Sequence, residues 1–135
     1  NQDLEEIEAV ISDHKNFRLN YQTNGIADIA RHADLCITSA GNSLIECLAL
    51  KKACLAVVTA SNQRSIITEL ETKNLVKKFD VIGSDLHVDG KAIASVSQLG
   101  AIAKKLQIQV SRQKPFDGRG TERVIKMIQN INALN

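Results

Sequence analysis

The chain has 135 residues, 44% of them hydrophobic, which is enough for one domain with an apolar core and too apolar for a disordered segment. Its 17 basic and 15 acidic residues leave a net charge of +2, and the lysine pairs Lys51-Lys52, Lys77-Lys78 and Lys104-Lys105 are spread along the chain rather than gathered on one face. With aromatic residues at 3%, there is neither a basic face nor a stacking platform for nucleic acid, and no apolar run approaches the ~20 residues of a membrane span.

The first predicted element is a helix over "DLEEIEAVISDH", where Leu4, Ile7, Ile11 and His14 recur at helical spacing and Asp3 and Glu6 are placed as a capping pair. "FRLNYQ", residues 17–22, alternates apolar and polar and predicts a strand, closed by Asn24-Gly25. A short helix, "IADIARHA", follows. "LCITS", residues 35–39, is a continuous apolar strand of the kind buried on both faces. "SLIECLAL" predicts a helix, "CLAVVTA" (54–60) a second buried strand, "RSIITELETKNL" a helix, and "VKKFDVI" a weaker strand. Residues 84–92 read as loop, and "SVSQLGAIAKKLQIQVSRQ" holds one or two helices. "FDGRG" is a turn before a last helix, "TERVIKMIQNINAL", whose stripe of Val124, Met127, Ile128, Ile131 and Leu134 is expected to be core. Strand and helix alternating at short spacing predict an α/β fold, a Rossmann-like parallel sheet with crossover helices, with residues 1–135 forming one domain.

Two loops of this pattern can carry chemistry. In an open parallel sheet a ligand binds beyond the carboxyl ends of the strands, where helix N-termini offer unpaired N–H groups to an anion. Thr38 to Ser43 and Thr59 to Arg64 ("TASNQR") both leave an apolar strand and enter a helix, and both are rich in small, hydroxyl and amide residues. A purely structural account is equally available at this stage. Ser43 and Glu46 have capping-box spacing, Asn62 could cap the next helix, and Gly41 could supply a positive φ. Glu46 tips the balance toward a ligand: "LI" precedes it and "CLAL" follows, so its carboxylate stands in a helix that is apolar almost all round and calls for a partner. Cys36, Cys47 and Cys54 lack metal-type spacing and read as buried small hydrophobes in a reducing cytoplasm, so no metal site is expected, and no cofactor.

"ADLCITSAGNSLIECLALKKACLAVVTASNQRSIITEL" resembles the C-terminal nucleotide-binding half of UDP-sugar enzymes with the GT-B fold. The likeness is strongest to the UDP-sugar hydrolases of pseudaminic acid synthesis and their spore-coat-polysaccharide relatives. In that family an Ala-Asp, a short apolar strand, a Gly/Ser-rich turn, a helical Glu and an Asn-Gln after the next strand recur in order. Here these are Ala33-Asp34, Leu35 to Ile37, Ser39 to Ser43, Glu46 and Asn62-Gln63. The family's "DG.G..R" turn is matched by Asp117, Gly118, Gly120 and Arg123. The resemblance implies that UDP or a UDP-sugar is the ligand. Ser39, Gly41, Asn42 and Ser43 would line its diphosphate and Glu46 would accept bonds from the ribose hydroxyls. Backbone near Thr23 and Asn24 would read the uracil edge, and Asn62 and Gln63 would reach the sugar or distal phosphate.

The family's catalytic His belongs to an N-terminal domain that is not in this sequence, and His14, His32 and His87 match no such segment. The expectation is a cytoplasmic nucleotide-sugar-binding domain, a fragment inactive alone, whose sheet lacks its first strands and whose partner is that N-terminal domain or a second copy of the chain. Related readings are the donor-binding domain of a UDP-GlcNAc-type glycosyltransferase and a non-catalytic module fused to a cytidylyltransferase.

Overall fold

In chain order the secondary structure runs α1 (Gln2–Ser12), α2 (Ile26–Ala30), β1 (Cys36–Ser39), α3 (Asn42–Ala49), β2 (Cys54–Val57), one 3-10 turn (Ser61–Gln63) and α4 (Arg64–Thr72). There follow β3 (Lys77–Ile82), β4 (Asp85–Val88), β5 (Lys91–Ala92), α5 (Val96–Gln113) and α6 (Gly120–Asn132). This computed structural model describes residues 2–12, 14–21, 25–113 and 115–132.

The fold is mixed α/β. Its five strands form one open sheet in the order β1-β2-β3-β4-β5. β1 and β2 run parallel from Cys36↔Cys54 to Ser39↔Val57, and β3 continues the parallel pairing through Leu55↔Lys77 and Ala56↔Lys78. The strand period of two then sorts the core. Cys54 and Ala56 of β2 point to one face, where they pack with Leu44 and Leu48 of α3 and Ile67 and Leu70 of α4. Leu55 and Val57 point to the other, against Phe79, Val88 and, from α5, Ala103 and Leu106. Two crossovers stepping the same way along a sheet place both helices on one side when each is right-handed, which is the arrangement seen. Both helices close alike. Lys51 (φ 59°) and Asn74 (φ 54°) take the left-handed conformation, and Lys52 N–H donates to Cys47 O as Leu75 N–H does to Leu70 O, turning the chain directly into the next strand.

Three expectations are corrected. Residues 84–92 are not loop: β4 and β5 extend the sheet antiparallel from β3. Gly83-Ser84 makes the first turn with φ 63° at Gly83, and Asp89-Gly90 makes the second with φ of 53° and 73°, the two-residue hairpin chemistry that matches strand twist. The strand expected over 17–22 is absent through Tyr21, Gln22 lying outside the described residues. β1 is therefore an edge strand among the described residues and is covered on one face only, leaving Ile37 52% exposed. The apolar stripe of α6 is not core either: Val124, Met127, Ile128 and Ile131 are exposed, and Leu134 lies outside the described residues. Of the one or two helices expected over residues 96–113, the structure has one, α5. No helix among the described residues is long and apolar enough to cross a membrane.

Candidate functional site

The parallel pairing of β1 with β2 brings the two loops together. Ser39 and Val57 are register partners at the strand ends, and Ala40 N–H donates to Val57 O at 2.8 Å, so both chains leave the sheet side by side. Gln63 then reaches across. Its Oε1 accepts from the Thr59 N–H at 2.9 Å and from the Thr59 hydroxyl at 3.1 Å, which fixes the amide. Its Nε2 faces Gly41: a Cβ built on Gly41 would stand 3.7 Å from Gln63 Nε2 and 3.7 Å from Ser39 Oγ. Ser39, Gly41 and Gln63 thus line one spot at the start of α3.

The capping roles open to Ser43 and Asn62 and the positive φ open to Gly41 are not observed. Gly41 is the N-cap of α3 and makes no side-chain capping bond, while Ser43 already lies inside the helix, so the Ser43–Glu46 capping box is not formed. Gly41 has φ −109°, an ordinary extended value, so it does not supply a left-handed turn. Asn62 sits in the 3-10 turn, and the N-cap of α4 is Gln63, again without a side-chain capping bond. The first-turn N–H groups of Asn42 and Ser43 have no partner four residues back and carry the positive end of the helix dipole.

Glu46 also needs correction. Asn42, Glu46 and Ala49 form the solvent face of α3, so the carboxylate is exposed and its burial demands no partner. That same face places Glu46 one turn beyond Asn42, beside the open helix start, within the span of a nucleotide. Asn62 and Arg64 are exposed on the opposing loop. Thr23 and Asn24, expected at a base-reading edge, lie outside the described residues. Set against protein-family models, curated proteins and solved structures, the chain matches none.

A second concavity lies elsewhere. A cavity of about 770 Å³ opens between α5 and the β4–β5 hairpin, lined by Val88, Ile93 and Leu106 with Lys77, Lys91 and Lys105. It shares no residue with the two loops, and Gln98, in the first turn of α5, is part of its lining. Lys77 is held by Asp89 at 2.9 Å.

The "DGRG" turn is self-contained. Asp117 accepts two bonds from the Arg123 guanidinium, at 2.7 and 3.0 Å, and one from Arg119 N–H at 3.0 Å, while Arg119 Nε donates to Glu122 at 2.9 Å. Gly118, at φ 74°, makes the bend. The Arg123 bond, then the Arg119 N–H, hold the Asp117 carboxyl well below the usual carboxylate range. A lowered folded-state pKa gives stabilisation that is complete above the ordinary value of about 3.9 and is lost only as pH falls through the lowered one. Asp117→Ala is therefore expected to fray the start of α6 at neutral pH, read from backbone amide shifts of Thr121 to Arg123. The difference from the parent should persist to well below pH ~4; convergence at higher pH would exclude this ion pair as the cap.

Proposed function

We propose that the chain is a nucleotide-sugar-binding domain that holds UDP or a UDP-sugar across the carboxyl ends of β1 and β2. The observation carrying this reading is the meeting of Ser39, Gly41 and Gln63 at an uncapped helix start. In this reading the diphosphate lies against the N–H groups of Asn42 and Ser43 with the Ser39 and Ser43 hydroxyls beside it. Gln63 Nε2 donates to the distal phosphate or sugar, Asn62 approaches from the same loop, and Glu46 takes the ribose hydroxyls. The uracil edge falls to the segment of Thr23 and Asn24. This is the assignment that the resemblance to GT-B UDP-sugar hydrolases implies, and the meeting of Ser39, Gly41 and Gln63 supports the part of it at the diphosphate. Enzymes of that family take their base from a separate domain, so in this reading the chain's part is to bind and orient, and to stabilise negative charge on a departing UDP. A cytoplasmic location, where nucleotide sugars are made, follows from the same reading.

The test is a calorimetric titration of the full chain with UDP, with CMP and ADP as controls. Saturable binding of UDP and not of the controls is expected. Glu46→Gln is expected to weaken UDP binding about tenfold, the worth of one hydrogen bond to a charged group, while changing stability by less than about 0.5 kcal/mol. A folded chain that binds none of the three, or a Glu46→Gln variant that binds UDP unchanged, removes respectively the nucleotide and the ribose contact from this account.

A further inference from the structure

At the opposite end of the same strands lies a feature that the nucleotide reading does not use. Cys36 and Cys54 are the first residues of β1 and β2 and face each other in register, and Cys47 comes down onto them from the last turn and a half of α3. The three Sγ atoms all lie within 4.8 Å of one another, and all three cysteines are free thiols. Cys47 and Cys54 are fully buried; Cys36, on the edge strand, is half-buried and gives the group its access. Buried cysteines are common, but three sulfurs converging from two strands and a helix form a ligand set that one ion can span. Bonds of about 2.3 Å set sulfurs roughly 3.3–3.8 Å apart as the angle at the ion opens from a right angle to tetrahedral, so closure needs shifts of up to about 1.5 Å.

We propose that Cys36, Cys47 and Cys54 form a three-sulfur site for a soft, thiophilic ion, with a trivalent metalloid as its best-matched occupant. Softness follows from the donors, since thiolates select soft ions over those that prefer oxygen. The charge follows from the surroundings. Cys47 and Cys54 are buried in one cluster with Leu44, Leu48 and Ala56, apolar side chains that do not compensate a net negative charge. Three thiolates around a divalent ion leave one negative charge in the core, which is costly there. Three thiolates around a trivalent metalloid leave none. With arsenite the step balances without an oxidant: As(OH)₃ and three R–SH give As(SR)₃ and three water molecules. Three As–O and three S–H bonds break, three As–S bonds form, each thiol proton leaves on a hydroxide, and no oxidation state changes. Attachment begins at Cys36, the accessible sulfur, and closes inward.

The experiment is anaerobic titration of the reduced full chain with sodium arsenite, and in a parallel arm with zinc chloride, followed by native mass spectrometry and X-ray absorption at the arsenic edge. The expected result is one arsenic per folded chain, three As–S bonds with no As–O bond, and tighter binding of arsenite than of zinc. Cys36→Ser, at the half-buried position least able to upset folding, is expected to leave an As–O bond and to weaken binding more than about 100-fold, beyond the effect of removing a group that only orients a ligand. Cys47→Ala serves as a second variant, with the same expected loss and its fold checked by circular dichroism. The proposal is overturned by no adduct, by a two-sulfur complex on the parent chain, by an adduct that forms only in urea, or by zinc binding the more tightly.

Discussion

Replacing Leu48 by Ala is expected to lower the free energy of unfolding by about 2–5 kcal/mol. Leu48 is 0% exposed and is packed in one cluster with Leu44 of its own helix, Ile67 and Leu70 of α4, Leu75, Val76 and Val110. Its removal strips apolar area from water-free surroundings and leaves a cavity that three elements cannot close together, because α3 is tied at its C-terminal end by the Lys51 turn and by Gln107. The amide of Gln107 accepts from Ala53 N–H at 3.2 Å and donates to Lys51 O at 2.6 Å. Against a total stability of roughly 5–15 kcal/mol for a small domain, that loss is visible in a urea melt as an earlier midpoint at unchanged slope. Met127→Ala, on the 65% exposed face of α6, is expected to stay within about 0.5 kcal/mol of the parent. Equal losses at the two positions would mean that α6 is covered in solution and that its stripe belongs to a core after all.

That contrast shows what a periodic pattern can and cannot tell. The stripe of Val124, Met127, Ile128 and Ile131 is present on α6, as its spacing predicts, but spacing fixes only which side of a helix is apolar and not what lies against it. The β1-α3-β2-α4-β3 unit was legible because each strand is a short apolar run followed by a helix of the right length, and such a unit has few ways to pack. The hairpin was missed: residues 84–92 read as loop, although Asp89-Gly90 between Val88 and Lys91 has two-residue hairpin chemistry. The alternation of residues 17–21 misled, since a strand needs a neighbour to pair its backbone and none of the described strands lies beside it. Within the candidate site, the approach of Gln63 to Gly41 follows from the parallel register of β1 and β2, which a list of two loops does not specify. The exposure of Glu46 was not foreseen, because the apolar letters around it conceal a solvent-facing row at 42, 46 and 49. The cysteines could not be grouped from positions 36, 47 and 54, since their meeting depends on strand register and helix rotation together.

The site itself is best tested at Gly41, where stability and binding are expected to move apart. Gly41→Asp should fold as well as the parent or slightly better, by a few tenths of a kcal/mol, because Asp is a preferred N-cap and stabilises the positive end of a helix. The backbone is ready for it: φ −109° and ψ −153° lie in the extended region usual for an N-cap, and the nearest atoms to an added Cβ, Ser39 Oγ and Gln63 Nε2, are at ordinary contact distance. The new carboxylate would take the first-turn N–H groups for itself and place a negative charge where the diphosphate is proposed to lie. Two unit charges about 4 Å apart near a protein surface repel by about 4 kcal/mol, which corresponds to a loss of UDP affinity of roughly 100- to 1,000-fold. Calorimetric titration beside a urea melt reads both quantities on one preparation. A variant that keeps its stability and loses UDP locates the phosphate at the start of α3. A variant that binds UDP as the parent does removes the phosphate from that position, whatever else the loops do.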